Sequence, residues 1–259
     1  MSEIPQDLIK TKDQIQTMRE GGKILAKILN QVKKLVISDV LTLDLEKKFL
    51  ELCSKYNVEP SCKGYAPSGL PPFPTGLCLS LNNQSVHCYP KEDSFINEGD
   101  LVNIDTVVKY KDMHLDSAFA VGVGKLSSNK EKLLNTSKIA LEEAIKKVKD
   151  GVNIGVISNT IMKTAEKNGF GVLTQYAGHG IGKEMHQYPE IPCIGKKSDG
   201  PELKEGMTIC IESLLCEGEL GLVKPTGDWE TEMYDGKNFC QFEHTILVTK
   251  TGHEILTIN

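Results

Sequence analysis

The chain has 259 residues, with 30 Lys+Arg against 35 Asp+Glu, 25% charged and 39% hydrophobic residues. That balance excludes a disordered chain. A net charge of −5 with no Lys/Arg block argues against a dedicated nucleic-acid binder, and no apolar run approaches the ~18 residues of a membrane span.

Taken in chain order, the opening residues MSEIPQDLIK carry neither a basic nor an apolar leader segment, so a cytoplasmic setting is expected. The capping-box pair Thr11 and Gln14 predicts a helix whose apolar positions run from Ile15 to Val36. A second helix is predicted from Thr42 to about Tyr56. Two β-rich runs follow, Leu101 to Tyr110 and Met113 to Val123. Ser128 with Glu131 reads as a second capping box, opening a helix that turns Leu134, Ser137, Leu141, Ala144, Ile145 and Val148 inward and stops at Asp150-Gly151. A fourth helix is predicted from Gly155 to Asn168, closed by Gly169, before strands over Met207–Cys216 and Phe239–Thr249. Helices, strands, helices and strands in that order predict an α+β fold rather than alternating βαβ units. No linker divides the chain. Its eight cysteines form no CxxC pair, so they are expected to be free thiols rather than a zinc finger or disulfides.

The sequence also echoes itself. Glu98-Gly99 leads to Ile104-Asp105, and Glu205-Gly206 leads to Ile211-Glu212, with the same spacing. His87-Cys-Tyr-Pro90 and His186-Gln-Tyr-Pro189 both read H-x-Y-P. Two echoes in the same order predict two related halves around a shared centre.

The carboxylates in the apolar strands point to what that centre does. A turn between residues 110 and 111 would make Asp105 and Asp116 cross-strand neighbours. Glu212 (in TICIESLL) and Glu243 (in CQFEHTILV) would repeat the arrangement, with KPTGDW as the turn region between them. Like charges facing each other in a sheet are destabilising, and buried ones need a shared proton or a cation. Four acids at one place suit divalent ions with hard oxygen ligands. A nitrogen ligand is expected from His179 in Gly-His-Gly-Ile-Gly (178–182), whose glycines allow close backbone approach and unusual dihedrals; this is not a nucleotide-binding spacing.

These residues carry a resemblance. GHGIG (178–182), NID (103–105), the Asp of HLDSA (114–118), IES (211–213) and FEHT (242–245) together resemble the methionine aminopeptidases, and FEHTI their type I form. The segment IKTKDQIQTMREGGKIL (9–25) is similar to that family's opening helix. The likeness spans nearly the whole chain without an N-terminal zinc-finger extension, which implies a bacterial-like enzyme with residues 1–259 as a single metallopeptidase catalytic domain.

The resemblance implies the pita-bread α+β fold, with pseudo-twofold related halves. It implies a dinuclear site of Asp105, Asp116, His179, Glu212 and Glu243, in which Asp116 and Glu243 bridge both ions, Asp105 holds one, and His179 with Glu212 hold the other. The ions would be Mn, Fe, Co or Zn. The implied reaction is removal of the initiator methionine from nascent polypeptides when the second residue is small, with a metal-bridged water or hydroxide attacking the scissile carbonyl. His87 would contact the substrate near its amine, His186 would bind the scissile carbonyl, and Glu212 would also shuttle the proton. Cys62, Tyr65, Phe73, Cys78 and Trp229 would form the methionine pocket, where sulfur–aromatic contacts are favourable. The implied partners are nascent chain N-termini and, transiently, the ribosome, with no membrane or specific nucleic acid; a monomer is the default.

The chain departs from the family pattern in a long Pro-rich segment at 66–77 and at Met185, Gln187 and Ser213, all expected to affect pocket shape and side-chain preference. Among the remaining histidines, His114 and His244 lie beside ligands, and strand alternation turns His244 away from Glu243. His253 is expected in a surface turn, and Cys88 is discounted as a partner for His87. Two competing readings are a proline-directed peptidase of the same fold and a non-catalytic binding protein that kept the fold.

Overall fold

The computed structural model describes residue 5 and residues 8–67, 69–218 and 221–258. Most of the opening segment read for a leader, and Ser68 of the Pro-rich segment, lie outside the described residues.

The first helix, α1 (Lys12–Lys33), is closed at its start by the expected capping box: Gln14 N–H donates to Thr11 Oγ1 at 3.3 Å and Thr11 N–H to Gln14 Oε1 at 2.9 Å. It ends three residues before Val36, because Leu35 and Val36 donate instead to the carbonyls of Val32 and Lys33, tightening the chain out of α geometry. Helix α2 (Thr42–Tyr56) is stopped by Asn57, whose φ of 54° is left-handed. Then come β1 (Glu59–Pro60), β2 (Cys78–Leu81), β3 (Leu101–Tyr110) and β4 (Met113–Gly122).

The second half starts with α3 (Ser128–Ile145) and α4 (Ile154–Lys167). The cap of α3 is Ser127, not Ser128: its hydroxyl accepts from Lys130 N–H at 3.4 Å. Asn153 caps α4. The strands that follow are β5 (Gly171–Val172), β6 (Ala177–Gly180), β7 (Gln187–Pro192), β8 (Thr208–Cys216), β9 (Val223–Pro225), β10 (Thr231–Met233), β11 (Phe239–Val248) and β12 (His253–Ile255). His253 thus opens an edge strand paired with β11 rather than sitting in a turn. The KPTGDW region is not a simple turn either; it runs through a small separate hairpin, β9–β10.

The main sheet runs β1-β3-β4-β11-β8-β6-β7, with β2 on β3, β12 on β11 and β5 on β8. Its centre has mirrored pairs: β3–β4 from the first half and β8–β11 from the second, meeting at a β4–β11 seam. Helix α1, with α2 packed against it and β1, covers the first pair around Met18, Leu25, Phe49 and Leu115. Helix α3, with α4 packed against it, covers the second around Leu141, Ile157, Ile211 and Ile246. The backing is close: a Cβ at Gly22 would collide with the Leu256 carbonyl and one at Gly21 with the Tyr110 side chain, so glycine lets α1 lie against the sheet.

The β3–β4 hairpin departs from the expected register. Its ladder extends to the pair Tyr110 and Met113, so the turn is Lys111-Asp112, with Lys111 at φ 53°. Asp105 therefore pairs with Ala118, and Asp116 with Val107. The two aspartates are staggered by two residues rather than opposed, which still leaves them on one face.

A carboxylate-rich cavity across the seam

Two neighbouring rows of side chains cross the sheet on the face opposite the helices. In the first, Asp105 pairs with Ala118, Ala118 with Glu243, and Glu243 directly with Glu212. In the second, two residues along each strand, Asp116 meets Thr245, Thr245 pairs with Cys210, and Cys210 with His179. Thr245 ties the rows together at the seam. Its hydroxyl accepts from Asp116 N–H at 3.0 Å and donates to the Asp116 carbonyl at 2.8 Å.

His179 reaches the row from β6, which the sequence pattern did not reveal as a strand. Gly178 and Gly180 serve close approach: a Cβ at either would strike the backbone of Cys210 or Tyr188. Neither has positive φ, so the unusual dihedrals expected there are absent. The His179 Nδ1 lies 2.9 Å from the Gly180 carbonyl. Because a carbonyl only accepts, Nδ1 holds the hydrogen and Nε2 faces Asp116 Oδ2 at 3.6 Å.

Electrostatics make this cluster costly on its own. Burial, then the charges of Asp116, Glu212 and Asp105, push Glu243 well above the carboxylate range. Burial, then Asp116, does the same to Asp105, opposed by a Gln241 amide 3.3 Å from its Oδ2. Burial raises Glu212 to about 7, against the pull of His179. Burial lowers the His179 value, but its hydrogen bond and charge interaction with Asp116 win and leave it raised. Among the described residues, Asp116 Oδ1 and Glu243 Oε1 are buried without a hydrogen-bond partner, a cost of ~1–3 kcal/mol for each such atom. Donor atoms of Asp116, His179, Glu243 and Cys210 lie within 4.8 Å of one another. Unpartnered oxygens converging on one imidazole nitrogen fit a divalent ion.

Above the rows opens a cavity of about 480 Å³. All twelve residues singled out from the sequence line it: Cys62, Tyr65, Phe73, Cys78, His87, Asp105, Asp116, His179, His186, Glu212, Trp229 and Glu243. His87 sits in left-handed backbone at φ 64°. Its ring meets Tyr176 edge-on at 5.2 Å and Trp229 at 6.1 Å. Burial lowers its pKa to about 4, with His186 adding to the effect and Asp116 opposing it. His186 is also lowered to about 4, by burial and then by His179, whose ring centre is 4.5 Å away. Both rings are therefore neutral near pH 7. The Tyr65 hydroxyl lies 3.3 Å from His186 Nδ1. Phe73 and Trp229 pack edge to face at 5.2 Å, and the Trp229 indole N–H donates to the Pro71 carbonyl at 2.9 Å. That bond draws the Pro-rich segment and the region around β9–β10 together over the cavity.

The structure also sorts the departures. Met185 and Leu70 line the cavity. Gln187 instead accepts from Lys10 Nζ at 3.2 Å. Ser213 is on the far face of β8, where its hydroxyl donates to the Ser137 carbonyl of α3 at 2.9 Å, so it cannot shape the pocket as expected. His244 turns to that far face too, with Nδ1 2.9 Å from Thr257 Oγ1. His114 Nδ1 lies 3.2 Å from the Gly182 carbonyl. Cys88 donates to the Thr231 carbonyl at 3.3 Å, outside the cavity. All eight cysteines are free. Sequence reading passed over Tyr176, Gln241 and Cys210; for the last two, a position two residues before a named carboxylate was the available signal.

Comparison with known proteins agrees with this geometry. Residues 16–250 match the model of metallopeptidase family M24. A methionine aminopeptidase of Aquifex aeolicus is 39% identical over 94% of this chain and 96% of its own length. One of Mycoplasma capricolum is 38% identical over 96% and 97%. The crystal structure of the Thermotoga maritima methionine aminopeptidase superposes with a TM-score of 0.93 at 36% identity, covering 97% of this chain and 99% of that one. Prolidase from Pyrococcus furiosus, at 21% identity and a TM-score of 0.76, shares the fold over 97% of this chain and 66% of its own. The architecture is the expected two-halved pita-bread α+β fold.

Proposed function

This chain belongs to the methionine aminopeptidases of metallopeptidase family M24, and on that premise we propose that it removes the initiator methionine from nascent polypeptides whose second residue is small. Residues 1–259 then act as one catalytic domain. Asp105, Asp116, His179, Glu212 and Glu243 would hold two divalent ions, from among Mn, Fe, Co and Zn. Ions of this kind lower the pKa of water and polarise a carbonyl.

The remaining work falls to side chains. Neutral His186, with Tyr65 donating to Nδ1, keeps its Nε2 hydrogen for the oxygen of the scissile carbonyl, where negative charge develops. Neutral His87 presents its ring to the amine end and the scissile amide. Glu212 is the carboxylate proposed to take a proton from water and return it to the leaving amine, as general acid–base work requires. Cys62, Tyr65, Phe73, Cys78 and Trp229 receive the methionine thioether through sulfur and ring contacts. The substrate is a nascent chain N-terminus. The enzyme acts as a monomer in the cytoplasm, touching the ribosome only transiently. Among the described residues no helix is long and apolar enough to cross a membrane.

The observation that carries this reading is the pair of unpartnered buried oxygens, on Asp116 and Glu243, beneath a cavity walled by thiols and rings. The deciding assay offers metal-reconstituted protein Met-Ala-Ser beside an Xaa-Pro dipeptide. Methionine release from the tripeptide alone is expected. Release from neither peptide with any of the four metals, or cleavage of only the Xaa-Pro bond, would overturn it.

A further inference from the structure

Cys210 stands in β8 two residues before Glu212, so the strand's alternation puts its thiol on the carboxylate face. It pairs with His179 on one side and with Thr245 on the other. Its Sγ belongs to the compact set in which donor atoms of Asp116, His179 and Glu243 lie within 4.8 Å of one another. Glu212 and Asp105 are outside that set. The unpartnered buried oxygens of Asp116 and Glu243 belong to two of its other members. Other buried thiols are engaged elsewhere: Cys193 donates to the Glu212 carbonyl and Cys216 to the Gly218 carbonyl, each at 3.2 Å. Cys210 Sγ lies 3.7 Å from Thr245 Oγ1, whose hydrogen goes to the Asp116 carbonyl, and its thiol otherwise hydrogen-bonds the Glu243 carboxylate inside the cluster.

We propose that Cys210 supplies a sulfur ligand to the ion held by Asp116, Glu243 and His179, making one of the two positions a mixed oxygen, nitrogen and sulfur site. This rests on the metal reading of the cavity given above. Sulfur is a soft donor, so it tilts the position toward zinc and cadmium over manganese, which prefers oxygen.

The test strips the full-length protein, reloads it with cobalt(II), and measures bound metal separately from the near-ultraviolet spectrum. The native chain is expected to show a sulfur-to-cobalt charge-transfer band that Cys210→Ser loses and Cys62→Ser keeps. The preference for zinc over manganese, by titration calorimetry, is expected to fall about tenfold or more in Cys210→Ser, the scale on which ligand-shell changes act. Cadmium NMR of the native chain needs no variant, so a Cys210→Ser protein that fails to fold leaves the question decidable: a resonance in the sulfur-ligated range supports the assignment. Full cobalt uptake with identical spectra in the native and Cys210→Ser proteins, or a cadmium resonance typical of oxygen and nitrogen ligands alone, overturns it and leaves the metal reading standing. No uptake by the native chain overturns the metal reading and this assignment with it.

Discussion

The two halves of the molecule bring carboxylates to the seam in different ways. In the first half, Asp105 and Asp116 sit on paired strands but are staggered by two residues. In the second, Glu212 and Glu243 stand directly opposite each other. Direct opposition is the costlier arrangement for like charges, yet glutamate has one more methylene with which to turn its carboxylate aside. A shared centre therefore does not require the halves to be copies in detail. Each half needs only to deliver one carboxylate to the seam, Asp116 from one side and Glu243 from the other.

The largest effects are expected at the seam. Asp116→Asn is expected to abolish peptide cleavage and lower metal content by elemental analysis; full metal content in this variant would contradict the role expected of Asp116 as a shared ligand. Next in size, His186→Ala is expected to cut kcat by roughly 10²–10³-fold, as losing an oxyanion donor does, while metal content stays unchanged. Metal loss there would make His186 a ligand rather than a donor to substrate.

A pH experiment sharpens the contrast from the second half. Glu212 has its folded pKa raised to about 7 from 4.5, so its protonated form favours the folded metal-free state. That contribution is complete below pH 4.5 and is lost as pH rises through about 7. His87, His186 and His244, lowered to about 4 from 6.5 by burial, contribute in the opposite sense, chiefly between those two values. In the unfolded chain they are still half protonated at pH 6.5, so this gain is complete only about one unit higher. Above about pH 7.5, where the histidines no longer contribute, chelated protein is therefore expected to melt at progressively lower temperature as Glu243 and Asp105, also raised by burial and neighbouring carboxylates, ionise, and added metal to flatten the trend. A flat trend in the chelated protein would show that the opposed glutamates are not strained. The smallest effect belongs to the far face: Ser213→Ala is expected to cost about 1 kcal/mol in denaturant unfolding with kcat/KM and metal content unaltered.

Much of this was legible in the sequence because it is local. Capping residues at Thr11 and a two-residue period around Asp105 and Glu243 are written into adjacent positions. What escaped is written across strands. The stagger of Asp105 and Asp116 depends on Lys111 adopting φ 53°, which moves the turn by one residue. Strand β8 is buried along its whole length, so no polar alternation marks which of its residues face the cavity, and Cys210 was passed over. Strand β6 is only four residues long and half glycine, too short for a period to show, so His179 was read from its glycines rather than from a strand.

The bond from the Trp229 indole to the Pro71 carbonyl has a consequence for how such an enzyme can change. The floor of the cavity is a hydrogen-bonded sheet that fixes the ligands to each other. The roof is two loops latched by one side chain to one carbonyl. Under the proposed function, selectivity for the first residue can then drift by rewriting the roof, through insertions near residue 70 or exchanges near residue 229, while the floor keeps the same reaction. On that reading the sheet carries the reaction, and the loops above it carry part of the selectivity.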